Sequence, residues 1–131
     1  MNALRPNALL LGLLTDVGGT WLLTSFVLAL DSRYAALSPE DQAAALATAP
    51  AMWVLGSLTT YLGGFVAGHL AIGEELANSF AMGIASTVFS FVEILSAPPT
   101  APFWVEAAAL LITIPLACAG GLTSAALRSR A

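Results

Sequence analysis

Four long, mostly apolar runs dominate this chain: Ala8 to Leu30, Pro50 to Gly73, Leu76 to Ala97 and Pro102 to Leu127. A helix needs about 20 such residues to cross the hydrocarbon core of a bilayer. In lipid every backbone amide must find its partner within the protein, which excludes open strands. The runs therefore predict an all-α fold, an integral membrane four-helix bundle in which residues 1–131 form one domain. Composition agrees: 58% of residues are hydrophobic, 9% are charged, and the mean hydropathy is +0.85. A water-soluble domain of this size exposes most of its residues and needs more charge than that. The first run follows Arg5 as a signal peptide would, but it is longer than the roughly 7–15 residues of a cleavable apolar core and contains Asp16. It reads as a retained first span.

The connecting segments carry their own local chemistry. Ser38, then Pro39, then Glu40 and Asp41 is the pattern of a helix N-terminus: a capping hydroxyl, a proline in the first turn and acids facing the dipole. It predicts a short surface helix, Pro39 to Ala47, in the first outer loop. Pro50 and Pro102 stand where the second and fourth spans begin, and Trp53 and Trp104 follow them closely, as in an interfacial aromatic belt. Pro115 lies inside the fourth span, where a missing N–H and a ring clash predict a kink. Arg5 flanks the first span, and Arg128 and Arg130 flank the last. Four spans put these flanks on one side, so both termini are expected in the cytoplasm. The Glu74–Glu75 turn then faces the same side without a basic residue of its own, and Arg33 lies outside.

Helices in lipid gain little by burying apolar area against one another, so they associate through small residues and a few polar contacts. In the second span Gly56, Thr60, Gly64 and Gly68 recur every four residues, widened by Gly63, Ala67 and Ala71. In the third, Ser79, Gly83, Ser86, Ser90 and Glu93 form a seam, as do Glu106, Thr113, Ala117, Gly120 and Ser124 in the fourth, with Gly121 beside it. The first carries Gly12, Asp16, Thr20 and Thr24, with Gly19 adjoining. These glycines are the predicted helix-packing residues. "LTTYLGGFVAGHLA" and "PLACAGGLTSAALR" also resemble each other weakly, which hints at a duplicated hairpin.

Asp16, His69, Glu93 and Glu106 are the candidate polar or proton/cation site. Asp16 is about nine residues into its span, roughly 13 Å deep at 1.5 Å per residue, and no lysine or arginine lies within the four runs. It is expected to be protonated, to be hydrogen-bonded by Thr15, Thr20 or a neighbouring helix, or to hold a cation or water. His69 reads as an interfacial residue reaching headgroups or as a partner of Asp16. Glu93 and Glu106 flank the turn "SAPPTAP" at matching depths and are either separate, water-facing carboxylates or a coupled pair.

Several classes fall away. With four arginines and no lysine, the chain lacks the basic footprint of nucleic-acid binding. A lone Cys118 allows neither an intrachain disulfide nor a Cys-based zinc site. No H-x-x-x-H, G-x-S-x-G or phosphate loop occurs, so no enzyme activity, no metal and no cofactor is expected.

"TDVGGTWLL", "LGGFVAGHLA" and "ITIPLACAGG" together resemble an uncharacterised group of small bacterial four-helix membrane proteins. These carry an acid before Gly-Gly in the first helix, Gly-Gly-x-x-Ala in the second, and Pro before Gly-Gly in the last. The resemblance spans all four helices and implies an integral bundle in the bacterial inner membrane. It assigns no substrate. Many members of that group carry a basic residue near the position of His69, which this chain lacks. The leading functional expectation is a non-enzymatic protein that associates with itself or with another membrane protein through its glycine-rich second helix. Two alternatives are a small oligomeric proton- or cation-coupled transporter or channel, and a lipid-binding protein.

Overall fold

The computed structural model describes residues 4–96 and 101–130. Six helices follow in order: α1 Pro6–Leu30, α2 Ser32–Ala35, α3 Pro39–Thr48, α4 Pro50–Leu70, α5 Glu75–Ser96 and α6 Phe103–Arg128. No strand occurs among the described residues. The helices α1, α4, α5 and α6 are each long and apolar enough to cross a membrane. Their exposed faces carry large apolar side chains such as Leu14, Leu22, Val88, Leu95 and Leu111, which suits a surface that meets acyl chains.

Local chemistry sets the ends. Proline opens α1, α3 and α4, where the absent N–H is not missed. Ser38 caps α3, its hydroxyl oxygen accepting the Asp41 N–H at 3.2 Å. The second span was expected to run to Gly73, but α4 stops at Leu70. The chain leaves the helical conformation at Ala71 (φ −110°, ψ 61°), and Gly73, with φ +83°, makes the turn beyond it in a left-handed conformation that glycine adopts freely. α6 continues unbroken through Pro115. Of the turn "SAPPTAP", residues 97–100 lie outside the described residues, and so does the expected end of the third span at Ala97.

The buried residues gather toward one end of the bundle. In α1 they are Ala8, Gly12 and Asp16, with none from Gly19 to Leu30. In α5 they lie between Asn78 and Ser86, and in α4 between Thr59 and Gly68. In α6, Ala117, Gly120, Gly121 and Ser124 are buried, with Val105 alone near the other end. At the packed end backbones touch. A Cβ built on Gly64 would overlap the backbone of Ala117, and one on Gly120 the carbonyl of Tyr61. A Cβ on Gly12 would stand 2.8 Å from the Gly63 carbonyl oxygen, one on Gly83 3.0 Å from Ala117 Cβ, and one on Gly68 3.0 Å from Gly121 Cα. At Gly12, Gly64 and Gly120 only hydrogen fits, and at Gly68 and Gly83 a side chain would make its neighbours shift.

Polar clamps finish this end. The Ser79 hydroxyl lies 2.7 Å from the Gly64 carbonyl oxygen and 2.8 Å from that of Glu75. The Arg5 N–H donates to Asn78 Oδ1 at 2.8 Å, and its guanidinium to the carbonyls of Leu70 and Ile72 at 3.3 and 3.1 Å. Arg128 reaches Glu75 Oε1 at 2.5 Å and the His69 carbonyl at 2.5 Å. The α4–α5 turn, which has no basic residue of its own, thus receives basic partners from both flanks of the chain. The free carbonyls at the C-terminal end of α4 are met by two guanidinium groups.

Candidate functional site

The site begins with an irregularity in α1. Residues Leu14–Gly18 form a single π-helical turn, which widens the helix by one residue around Asp16. Thr15 turns away, its hydroxyl donating to the Leu11 carbonyl at 2.8 Å. Asp16, 4% exposed, points into the bundle. Thr60 of α4 donates to its Oδ1 at 2.8 Å, and Ser86 of α5 donates to its Oδ2. Each carboxylate oxygen therefore has a hydroxyl partner from a different helix. Nearby, Thr59 donates to the Gly56 carbonyl at 2.8 Å, which leaves Thr20 to donate across the 2.7 Å contact to Thr59.

The Asp16–Thr60–Ser86 layer is where close packing stops. Toward α3, the helices border a half-open cavity of about 440 Å³ with Asp16 in its wall. Its hydroxyl lining includes Thr20, Thr24, Ser57, Thr60, Ser86 and Ser90. Glu93 and Glu106 line it as well, with Glu93 exposed and Glu106 half-buried. From Ser86 to Glu93 is seven residues, about 10 Å along α5, so Asp16 forms the floor and the glutamates lie nearer the rim. Apolar wall comes from Trp21, Met52, Trp53 and Phe89 among others. Trp53 is held by its indole N–H, which donates to the Ala47 carbonyl at 3.0 Å, and α3 adds Leu46 and Ala47.

Sequence and structure agree on part of this constellation. Asp16, Glu93 and Glu106 share one cavity. His69 does not: it is exposed at the far end, its ring stacked on Phe65 with centroids 5.7 Å apart. The alternative pairing of His69 with Asp16 is absent, because nine residues, about 13 Å of α4, separate His69 from Thr60 at the level of Asp16. Thr15 and Thr20, the partners expected from α1 itself, are engaged elsewhere. Among the described residues, no three His, Cys, Asp or Glu side chains are grouped so that they could hold a metal ion.

No protein-family model, curated protein or solved structure matches this chain.

Sequence reasoning placed Thr60 and Ser86 on the small-residue seams but gave them no role. The available signal was their depth: each lies on a predicted inward stripe near the level of Asp16. Trp53, read as an interfacial anchor, is part of the cavity wall. Gly63, Gly64 and Gly68, expected on an association surface, are covered by α1, α5 and α6 of the same chain. Gly56 differs, with nothing within 4 Å of a Cβ built on it, and it borders the cavity.

Proposed function

We propose that this chain is a multi-pass protein of the bacterial inner membrane, related to the small four-helix group it resembles, that takes a proton or cation into the Asp16 cavity. It works as an oligomeric transporter or channel. The observation that carries this reading is a buried carboxylate, met only by neutral hydroxyls, at the floor of a cavity that reaches exposed Glu93. An unmatched charge at that depth is strongly unfavourable in a low-dielectric surround, so its natural counterpart is a proton or cation arriving through the cavity.

The cavity has the lining for that task. Hydroxyls on α1, α4 and α5 replace part of an entering ion's hydration, while Glu93 and Glu106 favour cations near the rim. Beyond Asp16 the Gly12–Gly63 contact and the buried side chains of Ala67 and Met82 close the path. A cavity closed at one end is one state of an alternating-access cycle. The excess of arginine at the closed end supports a cytoplasmic position for that end, with both termini there and α3 in the outer loop.

Proteoliposomes test the proposal directly. Wild-type protein should carry a proton or monovalent-cation flux down an imposed gradient, and Asp16→Asn should abolish it. Glu93→Gln, nearer the rim, should slow the flux without ending it. A wild type that gives no flux above empty vesicles for protons, sodium, potassium or a small organic cation would count decisively against the reading.

A further inference from the structure

Resting on the cavity reading above, we infer that the ligand is a compact organic cation with an apolar body, such as a quaternary ammonium or phosphonium, and not a bare metal ion. Three observations converge on this class. The first is size. A cavity of about 440 Å³ falls in the range of roughly 300–1,000 Å³ that holds small organic ligands and far exceeds an ion with its first shell of oxygens. The second is charge. Asp16, Glu93 and Glu106 line it, and no arginine, lysine or histidine does.

The third is the nature of the wall. Trp21 from α1, Trp53 from α4 and Phe89 from α5 give the cavity aromatic surface on three helices. Indole faces attract cations, most strongly where water is excluded. The Trp53 ring is fixed before any ligand arrives, by its hydrogen bond to Ala47, which lowers the ordering cost of binding. A hard metal ion asks instead for several converging oxygens. Among the described residues no three His, Cys, Asp or Glu side chains converge as such ligands, and Glu93 stands about 10 Å nearer the rim than Asp16. A soft cation satisfies both features, its charge directed to Asp16 and its carbon surface to the aromatic wall.

The decisive experiment is a titration with tetraphenylphosphonium, followed by tryptophan fluorescence on the full chain in lipid nanodiscs. Of the three tryptophans, Trp104 is exposed and does not line the cavity. Trp104→Phe therefore leaves emission from Trp21 and Trp53 alone. Saturable quenching is expected, weakened about tenfold or more by Asp16→Asn and unchanged by Glu74→Gln at the closed end. Should Asp16→Asn fail to fold, Gly56→Leu provides a second test. A side chain there meets nothing in the packed end and projects into the cavity, so it should weaken binding by a similar factor.

Quenching that rises linearly, as partition into lipid does, or that is equal in wild type and both variants, overturns the inference. Asp16-dependent sodium or proton flux without phosphonium binding would overturn the ligand class and leave the transport reading standing. Saturable phosphonium binding without flux would do the reverse, and the loss of both would remove both.

Discussion

Gly56 and Gly64 lie two turns apart on one row of α4, yet they inhabit opposite surroundings. A Cβ on Gly64 would overlap the Ala117 backbone, whereas one on Gly56 would meet nothing within 4 Å. The same contrast separates the two ends of the bundle. At one end glycine lets α4 and α6 approach until backbones touch, with Ser79, Arg5 and Arg128 tying the remaining polar groups. At the other, glycine, serine and threonine leave room that no neighbour fills. Small residues therefore permit close packing without enforcing it. What separates the two outcomes is which side of the Asp16 layer a residue occupies, and the π turn in α1 falls at that layer.

Breaking the packed end should have the largest effect. Gly64→Leu forces α4 and α6 apart against backbone, with no flexible side chain to yield, so the loss should reach about 3 kcal/mol or more, the upper range for overpacking. Gly56→Ala should be neutral or stabilising by up to about 1 kcal/mol, because it removes a helix-interior glycine without a clash. Thermal or denaturant unfolding in detergent, followed by helix circular dichroism, reads both. Equal destabilisation by the two substitutions would erase the contrast between the ends.

A subtler comparison concerns access. With Cys118 replaced by Ala, a single cysteine at Ser90, on the cavity wall, should react with a small charged thiol reagent. A cysteine at Ser79, fully buried in the packed end, should react at least about tenfold more slowly, since it waits for local opening. Reaction at matching rates would mean that the cavity end is as closed as the other in solution.

These contrasts also mark how far the sequence could be read. Four apolar runs, the Ser38 cap and the opening prolines each follow from strong local rules, and those helices appear where expected to within a few residues. The inward stripes placed Asp16, Thr60 and Ser86 on facing seams because a carboxylate at that depth has few other options. The Asp16–Ser86 contact bridges 70 positions, however, and nothing in either stripe names its partner. The cavity was illegible for a different reason. Gly56, Ser57 and Ser90 continue the seams without any change of residue type, and volume left empty has no signature in a list of small side chains. The π turn is equally silent, since Leu14 to Gly18 would be accommodated in an ordinary helix.

The smallest expected effect lies beyond both ends of the comparison, in the loop that follows α1. Arg33 binds Asp31 through its side chain, with the closest contact at 2.6 Å, and through its backbone N–H at 3.0 Å. The side-chain hydrogen bond, then the backbone bond, hold the Asp31 carboxyl below the ordinary carboxylate range. A group whose pKa is lowered on folding stabilises the folded state above its unfolded value, and that contribution fades as pH falls through the lowered one. Asp31→Asn should therefore lower the melting temperature slightly at neutral pH and not at all in strong acid, because the pair is exposed and screened. Melting curves of the two proteins from pH 7 downward would test this. A gap that persists unchanged into acid would mean that the charge on Asp31 contributes nothing at this loop, since asparagine keeps the shape and the capping oxygen.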